Sequence, residues 1–429
     1  MHVFFEELST PQRAGGIEAA TRGLITALAG LGVRVTRRFA DVPQAIDAVP
    51  DCVHIHGIWS PTLARRFIHW RRLGVPCVVT VHGMLEPWAL AHKRLKKQVA
   101  WHIYQKRLLN RASALHATSP READNLRRLG LKPPVATIPW GVDVPGEDGS
   151  RIVDRGLRIA EEDQMHGAPA SPSSIPHPLP PIHYSPSSPT SDLRPPTSDL
   201  RPPSPDLRPP SSDLRPLTSD LRPPSSDLRP PTSGLKTALF VGRIYPVKGL
   251  PLLVEAWAKV RPAGWKMRVV GPDEAGHRAE VEALVRQAGL EDAFEFTGPL
   301  EGEALRHAYA DAELLVLPSH TENFGMVVAE ALAHGLPVIA TRGSPWKLLE
   351  DERCGWWVPV SADGIAAALD DATRRTSADL SAMGGRGRVV VAERFAWDGI
   401  ARQFLACYQW LLGNGPQPGC IGGKTQDTL

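Results

Sequence analysis

Two glutamates, Glu322 and Glu330, stand with seven residues between them in the run Glu-Asn-Phe-Gly-Met-Val-Val-Ala-Glu. Just before them, Leu314 to Leu317 is a short apolar run closed by Pro318, which predicts a buried strand. Met326 to His334 is a helix-forming stretch that stops at Gly335, with Pro337 beyond it, and Val338 to Ala340 reads as the next strand. Glu322 therefore falls in the loop before a helix and Glu330 about a turn and a half inside it. The N–H groups of Phe324, Gly325 and Met326 lie between, at a helix start, where free N–H groups suit an anionic or oxygen-rich ligand. A carboxylate on each side suits a vicinal diol, from which it accepts two hydrogen bonds. A ligand with phosphates and sugars meets both demands. The plainer alternative is a surface glutamate plus a helix glutamate that pairs with an arginine.

A second group of chemically apt residues precedes these. Thr237 to Val241 reads as a strand, followed by Gly242-Arg-Ile-Tyr-Pro-Val-Lys-Gly249 and a helix from Leu250 to Arg261. A loop with glycines at both ends, one arginine and one lysine suits a diphosphate: Arg243 can grip oxygens bidentately and Lys248 supplies a point charge. Near the N-terminus, Gly15-Gly16 precedes a helix from Ile17 to Leu31, which allows backbone to approach a ligand closely or simply makes a turn. His54, His56 and His82 fall at strand ends, where each fits either a satisfied structural histidine or a site residue; for His54 the structural reading is preferred.

The elements that must position these residues alternate strand and helix. Val3 to Leu8, Val33 to Phe39, Cys52 to His56 and Pro76 to Val81 read as strands, with helices from Ile17 and from Ser60 to Leu73 between them. Ser119-Pro-Arg-Glu122 has capping-box form ahead of another helix, and Val135 to Ile138 is a further strand. In the second half, strands at Lys266 to Val270 and Ala293 to Phe296 alternate with helices at His277 to Ala288 and Ala304 to Asp311. This order predicts parallel, doubly wound sheets, which bind ligands at the carboxyl ends of their strands. Trp88 to Asn110 combines Lys93, Arg94, Lys96, Lys97, Lys106 and Arg107 with apolar residues at roughly helical spacing. Such a helix either lies in an anionic membrane surface or packs on a core with its basic face solvated.

With 429 residues the chain has room for two domains and a tail, and a net charge of +3 gives no global bias toward nucleic acid. Five cysteines without paired spacing argue for a reducing cytoplasm and against a disulfide framework or zinc site. No stretch approaches the roughly 20 apolar residues of a membrane span, so the expected location is cytoplasmic, at most peripheral to the inner face of the cell membrane. Between the two halves a heptad of the type Ser-Asp-Leu-Arg-Pro-Pro-Thr recurs, its leucines stepping by seven from Leu193 to Leu235. Proline in nearly every heptad excludes a coiled coil, and the segment is expected to be a disordered, partly polyproline-II linker.

The motif Glu322 to Glu330 with His-Gly-Leu-Pro-Val-Ile-Ala-Thr after it resembles the donor-site signature of the group 1 family of retaining glycosyltransferases. Gly242-Arg-Ile-Tyr-Pro-Val-Lys-Gly249 resembles that family's donor-phosphate loop, Pro11-Gln-Arg-Ala-Gly-Gly-Ile-Glu18 its glycine loop, and Thr80-Val-His-Gly-Met84 the segment whose histidine lies beside the reacting sugar. The resemblance implies the α/β GT-B architecture: two Rossmann-like domains facing across a cleft. The expected boundaries are 1–146 for the acceptor-side domain, 147–233 for the disordered Pro/Ser-rich insert, which the family lacks, and 234–393 for the donor domain. A helix at 394–412 crosses back to the first domain, and 413–429 is a flexible tail.

By the same resemblance His82, Arg243, Lys248 and Glu322 carry the chemistry, with Arg243 and Lys248 as the two cations on the leaving diphosphate and His82 positioning the sugar rather than acting as a base. Gly15, Gly16, Gly242, Phe324, Gly325, Met326 and Glu330 would bind the donor, Glu330 at the ribose diol and Glu322 at the transferred sugar. No Asp-x-Asp pair occurs in the chain, in keeping with a metal-independent enzyme that takes no cofactor and uses a nucleotide-diphosphate sugar as co-substrate. The implied partners are that donor and a carbohydrate or lipid-linked acceptor from cell-envelope, lipopolysaccharide or exopolysaccharide biosynthesis, with membrane contact through 88–111 and no nucleic acid. Two other readings share the fold: a nucleotide-sugar epimerase or hydrolase, and a non-catalytic nucleotide-sugar-binding relative.

Overall fold

The structure, a computed structural model, describes residues 1–8, 16–40, 48–91, 94–145 and 234–422. Gly15 and the rest of its loop, Lys93, the insert expected at 147–233 and the last residues, 423–429, lie outside the described residues. Among the described residues twelve strands form two six-stranded sheets, parallel throughout. The first holds β1 (His2–Glu7), β2 (Arg34–Phe39), β3 (Cys52–His56), β4 (Cys77–Thr80), β5 (Ala114–Ala117) and β6 (Val135–Thr137), in the order β2-β1-β3-β4-β5-β6. The second holds β7 (Lys236–Val241), β8 (Trp265–Val270), β9 (Phe294–Gly298), β10 (Leu314–Leu317), β11 (Val338–Thr341) and β12 (Gly355–Val358), in the order β12-β11-β10-β7-β8-β9. In each sheet the strand order reverses once, between β1 and β3 and between β7 and β10. A crevice opens at the carboxyl ends of those strands.

The central strands are buried along nearly their whole length because helices cover both faces, which is why they read as continuous apolar runs. β1 is the exception in composition. Its adjacent glutamates point to opposite faces of the sheet, as the pleat requires, and each meets an arginine of β2. Glu6 pairs with Arg38 and Arg66 on one face, and Glu7 pairs with Arg37 on the other, where Glu18 joins it.

One apolar cluster runs through both sheets and joins them by way of Trp140, Phe395, Trp397, Phe404 and Tyr408. The helix Trp397–Leu411 returns to the first sheet. Trp397 fills a notch in which a β-carbon at Gly23 would lie 2.2 Å from its ring and one at Gly141 2.3 Å. Tyr408 donates its hydroxyl to His54 Nδ1 at 2.7 Å.

Three expectations are refined. The helix expected over Trp88 to Asn110 is present as Pro87–Ala91 and, past two residues outside those described, as Arg94–Ala100, Trp101–Gln105 and Lys106–Leu109 in unbroken succession, the middle piece wound as a π-turn. The tail expected to be flexible from Gly413 docks near its end: Ile421 is buried and bridges Ala136 at the free edge of β6, and the Cys420 carbonyl accepts the Thr137 N–H at 2.9 Å. Pairing of that edge satisfies ladder groups that would otherwise face solvent. The final helix, expected at 394–412, runs from Trp397 to Leu411, and Arg394 instead ends the preceding helix, Ser377–Arg394.

Candidate active site

The loop after β7 turns through Pro246–Lys248 into the helix Leu250–Val260. Gly249 stands between them at φ +70°, and a β-carbon there would lie 2.1 Å from the Pro318 carbonyl oxygen. Only glycine fits both the backbone angle and the approach. That approach brings Lys248 to the end of β10, where its ammonium donates to Glu322 Oε1 at 2.5 Å and the Ser319 hydroxyl donates to the same oxygen at 2.7 Å. Both side chains retain some exposure, 16% for Lys248 and 12% for Glu322, so the pair lines the crevice rather than the core.

Gly325, at φ +84°, begins the helix Met326–Ala333, whose first N–H groups have no partner within the helix. Phe324 is buried against Trp346 and Phe395, and its carbonyl accepts the Trp346 indole N–H at 2.5 Å. Its side chain therefore holds the loop down, while its neighbours Gly325 and Met326 remain partly exposed. On the same helix Glu330 accepts the Tyr309 hydroxyl at 2.7 Å, with His334 stacked on the Tyr309 ring. Burial pushes the Glu330 carboxyl up; the Tyr309 bond opposes that shift and nearby Asp143 adds to it.

Arg243 does not join Lys248. Its guanidinium is half-exposed, paired with Glu274 and set over the Tyr245 ring. Gly242 is at φ +153°, where the carbonyl lies against Gly271. Gly16 opens the helix Gly16–Gly30, exposed, with nothing near the position of a β-carbon.

His82 belongs to the first sheet, directly after β4, yet its turn meets the second. A β-carbon on the following Gly83 would lie 3.1 Å from the Asn323 side chain. His82 has φ +50°, a conformation rare for a residue with a side chain. Its ring stacks on Trp140 at 5.8 Å, and its Nε2 lies 3.2 Å from His56 Nδ1. Burial and the proximity of His116 push its pKa down to about 3. His82 is therefore neutral at physiological pH and carries no positive charge into the crevice.

His54 and His116, the latter on a strand the sequence had not marked, form a directional chain behind it. The Ile138 carbonyl only accepts, so His116 Nε2–H donates to it at 2.7 Å. Thr80 then donates to His116 Nδ1 at 2.8 Å, His54 Nε2–H donates to Thr80 at 2.7 Å, and Tyr408 donates to His54 Nδ1. Every ring is neutral in this chain, and a further proton would set two donors against each other. Burial accordingly holds His116 down to about 4 and His54 well below its ordinary value, as it does His56.

Because these pKa values are depressed on folding, the unfolded chain binds more protons once pH falls below about 6.5, and stability falls with pH from there. The loss from His116 alone reaches about 2 kcal/mol at pH 5. The raised carboxyls of Glu7, Glu122 and Glu330 act in the opposite sense through smaller shifts. Denaturant unfolding at pH 7.5 and pH 5 is expected to give a clearly lower midpoint at pH 5; equal midpoints would contradict this account of the histidines.

The profile of the family described as "Glycosyl transferases group 1" matches residues 235–375, and that of the "Glycosyl transferase 4-like domain" matches residues 36–141. The chain is 36% identical over 194 residues to a D-inositol 3-phosphate glycosyltransferase of Kineococcus radiotolerans, a match covering 40% of this chain and 43% of that protein. The chain spans less than half the length of the curated relatives it matches. Its fold is similar to that of sucrose-phosphate synthase from Thermosynechococcus elongatus, with a TM-score of 0.65 at 20% identity over 96% of this chain and 99% of the other. It is also similar to that of the Anabaena protein HepE, whose structure was solved with UDP and glucose (TM-score 0.62, 16% identity, 96% of this chain and all of the other). The chain belongs to the group 1 glycosyltransferases and has their GT-B architecture.

Proposed function

We propose that this protein is a retaining, metal-independent glycosyltransferase. It moves a sugar from a nucleoside-diphosphate sugar to a hydroxyl of a cell-envelope or exopolysaccharide precursor. The observation that carries the reading is the Lys248–Glu322 pair at the crevice between β7 and β10, beside the open start of the helix Met326–Ala333. As the bond from the anomeric carbon to phosphate oxygen breaks, negative charge grows on the leaving diphosphate. Lys248 and the helix N–H groups are placed to stabilise that charge without a metal ion. Arg243, half-exposed and paired with Glu274, would supply the second cation, and Gly15, Gly16 and Gly242 would be the glycines at which backbone meets the donor. Glu322 holds hydroxyls of the transferred sugar and Glu330 the ribose diol. Neutral His82 approaches from the acceptor side and orients the sugar. The acceptor hydroxyl attacks on the face that the phosphate leaves and passes its proton to the departing phosphate oxygen, so configuration is retained. Residues 1–146 form the acceptor side in this reading and 234–393 the donor side.

For the acceptor, we infer a lipid-linked molecule at a membrane surface. The helix Arg94–Ala100 buries none of its residues, and Leu95, Val99 and Ile103 stand exposed at helical spacing. Behind them a groove of about 410 Å³ is walled by Leu85, Leu90, Trp101 and Leu129, with Arg94 and Lys97 in its lining. Apolar walls with cations suit an anionic amphiphile. Among the described residues no helix is long and apolar enough to cross a bilayer.

Replacing Glu330 with Ala is expected to weaken nucleotide binding about 10- to 100-fold, because a diol loses two bonds to a charged acceptor. A 2′,3′-dideoxynucleoside diphosphate should bind wild type and variant alike, and a variant that binds the ribose form normally would remove Glu330 from the site. The stereochemical claim is tested by the NMR spectrum of the product, in which the anomeric proton should report the donor's own configuration. An inverted product would refute retention, and consumption of donor without acceptor would favour a hydrolase or epimerase.

A further inference from the structure

Both neighbours of Glu322 are gripped from the opposite half of the molecule. Arg121 Nη2 donates to the Thr321 hydroxyl at 3.3 Å, and its Nη1 donates at 2.9 Å to the Gly343 carbonyl. That carbonyl also accepts the Glu322 N–H at 2.9 Å. On the other side of Glu322, the Asn323 amide donates to Thr118 Oγ1 at 2.8 Å and to Glu122 Oε2 at 3.0 Å.

Glu122 is buried, and the capping-box reading accounts for only part of what it does. Ser119 Oγ accepts the Glu122 N–H at 3.2 Å, as such a box requires, but the carboxylate passes over the Ser119 N–H. One oxygen takes the Thr118 N–H at 2.7 Å and the Thr118 hydroxyl at 3.0 Å, and the other takes the Gly83 N–H at 2.8 Å. Gly83 follows His82, and both residues are held at positive φ. A single carboxylate thus fixes the strained turn that carries His82 and, through Asn323, the loop that carries Glu322. All its partners are donors, which suits the ionised form.

We propose that Arg121 and Glu122 are positioning residues. They place Glu322 and His82 in register across the crevice, and only when the two halves are apposed. The inference rests on the transfer reading above. Lys248, Glu330 and the helix start belong entirely to the second half, so nucleotide binding does not need this grip. Alignment of the sugar between Glu322 and His82 does.

The test uses Asn323→Asp, which keeps the shape of the side chain and sets a second carboxylate against Glu122. Turnover is expected to fall about 100-fold, the effect of an ångström-scale misplacement. Nucleotide affinity should stay within about threefold of wild type. In full-length protein spin-labelled at Arg72 and Glu255, double electron–electron resonance should show a longer or broader distance distribution for the variant. Asn323→Ala removes both bonds without adding a charge and should lose less turnover than Asn323→Asp, an order that loss of side-chain volume alone would reverse. Wild-type turnover in Asn323→Asp, or an unchanged distance distribution, would overturn the proposal. Should wild type bind no nucleotide sugar at all, the transfer reading fails, and the distance measurement still decides whether this grip holds the halves together.

Discussion

Lys248→Met should lower the rate of sugar transfer about 10²- to 10³-fold, the usual effect of removing one preorganised charge from a developing anion. Methionine keeps most of the apolar stem and removes the ammonium. Glu322 loses the partner at 2.5 Å but keeps the Ser319 hydroxyl, and it lies at the crevice edge rather than in the core. The fold is therefore expected to survive, and the loss should appear in kcat as well as in donor affinity, since charge on the leaving diphosphate is greatest in the transition state. Single-turnover measurement with saturating donor separates the two. A variant with normal kcat would mean that Lys248 serves only to hold Glu322, and the cationic role would pass to Arg243.

Glu6→Ala is expected to have the largest effect on stability, about 3–5 kcal/mol, because it strips the counter-charge from a buried pair. Glu6 is fully buried and accepts from Arg38, from Arg66 Nη1 at 2.8 Å and from the Trp70 indole N–H at 2.9 Å. Arg38 is itself buried, set over the Phe4 ring. Without Glu6 its guanidinium would lose the carboxylate that it meets on β1. Glu6→Gln keeps the shape and one acceptor, so it should cost less than Glu6→Ala. Guanidinium unfolding of both variants gives the comparison, and an alanine variant as stable as wild type would show that the network contributes nothing net.

How much of this was legible in the sequence depended on distance along the chain. The arrangement from Leu314 to Thr341 was readable because its signals are local: Pro318 closes a strand, Gly325 starts a helix, and Gly335 with Pro337 ends it. The glycines of the Lys248 loop were equally visible, and Gly249 proves to be the residue that lets the loop meet Pro318. β5 was missed because Ala114–Ala117 is short and carries alanines and a histidine instead of β-branched residues. With it went His116 and the neutral histidine chain. Glu6 and Glu7 are charged residues buried in a strand, β1. Their arginine partners come from the register with β2, about thirty residues away, which no local pattern contains. Glu122 was readable as a cap, while its bond to Gly83 follows from the pairing of β4 with β5 and its bond to Asn323 from how the halves meet. The helix expected over Trp88 to Asn110 has suitable periodicity throughout, and periodicity alone does not reveal a π-turn.

The central claim is that a nucleotide sugar binds at the crevice between β7 and β10. The most direct test is a thermal-shift screen of UDP-, GDP- and ADP-sugars at millimolar concentration, with wild type beside Glu330→Ala and Lys248→Met. The account predicts that one nucleotide class raises the midpoint of wild type and raises that of each variant much less. No shift with any nucleotide sugar, or equal shifts in all three proteins, would contradict it.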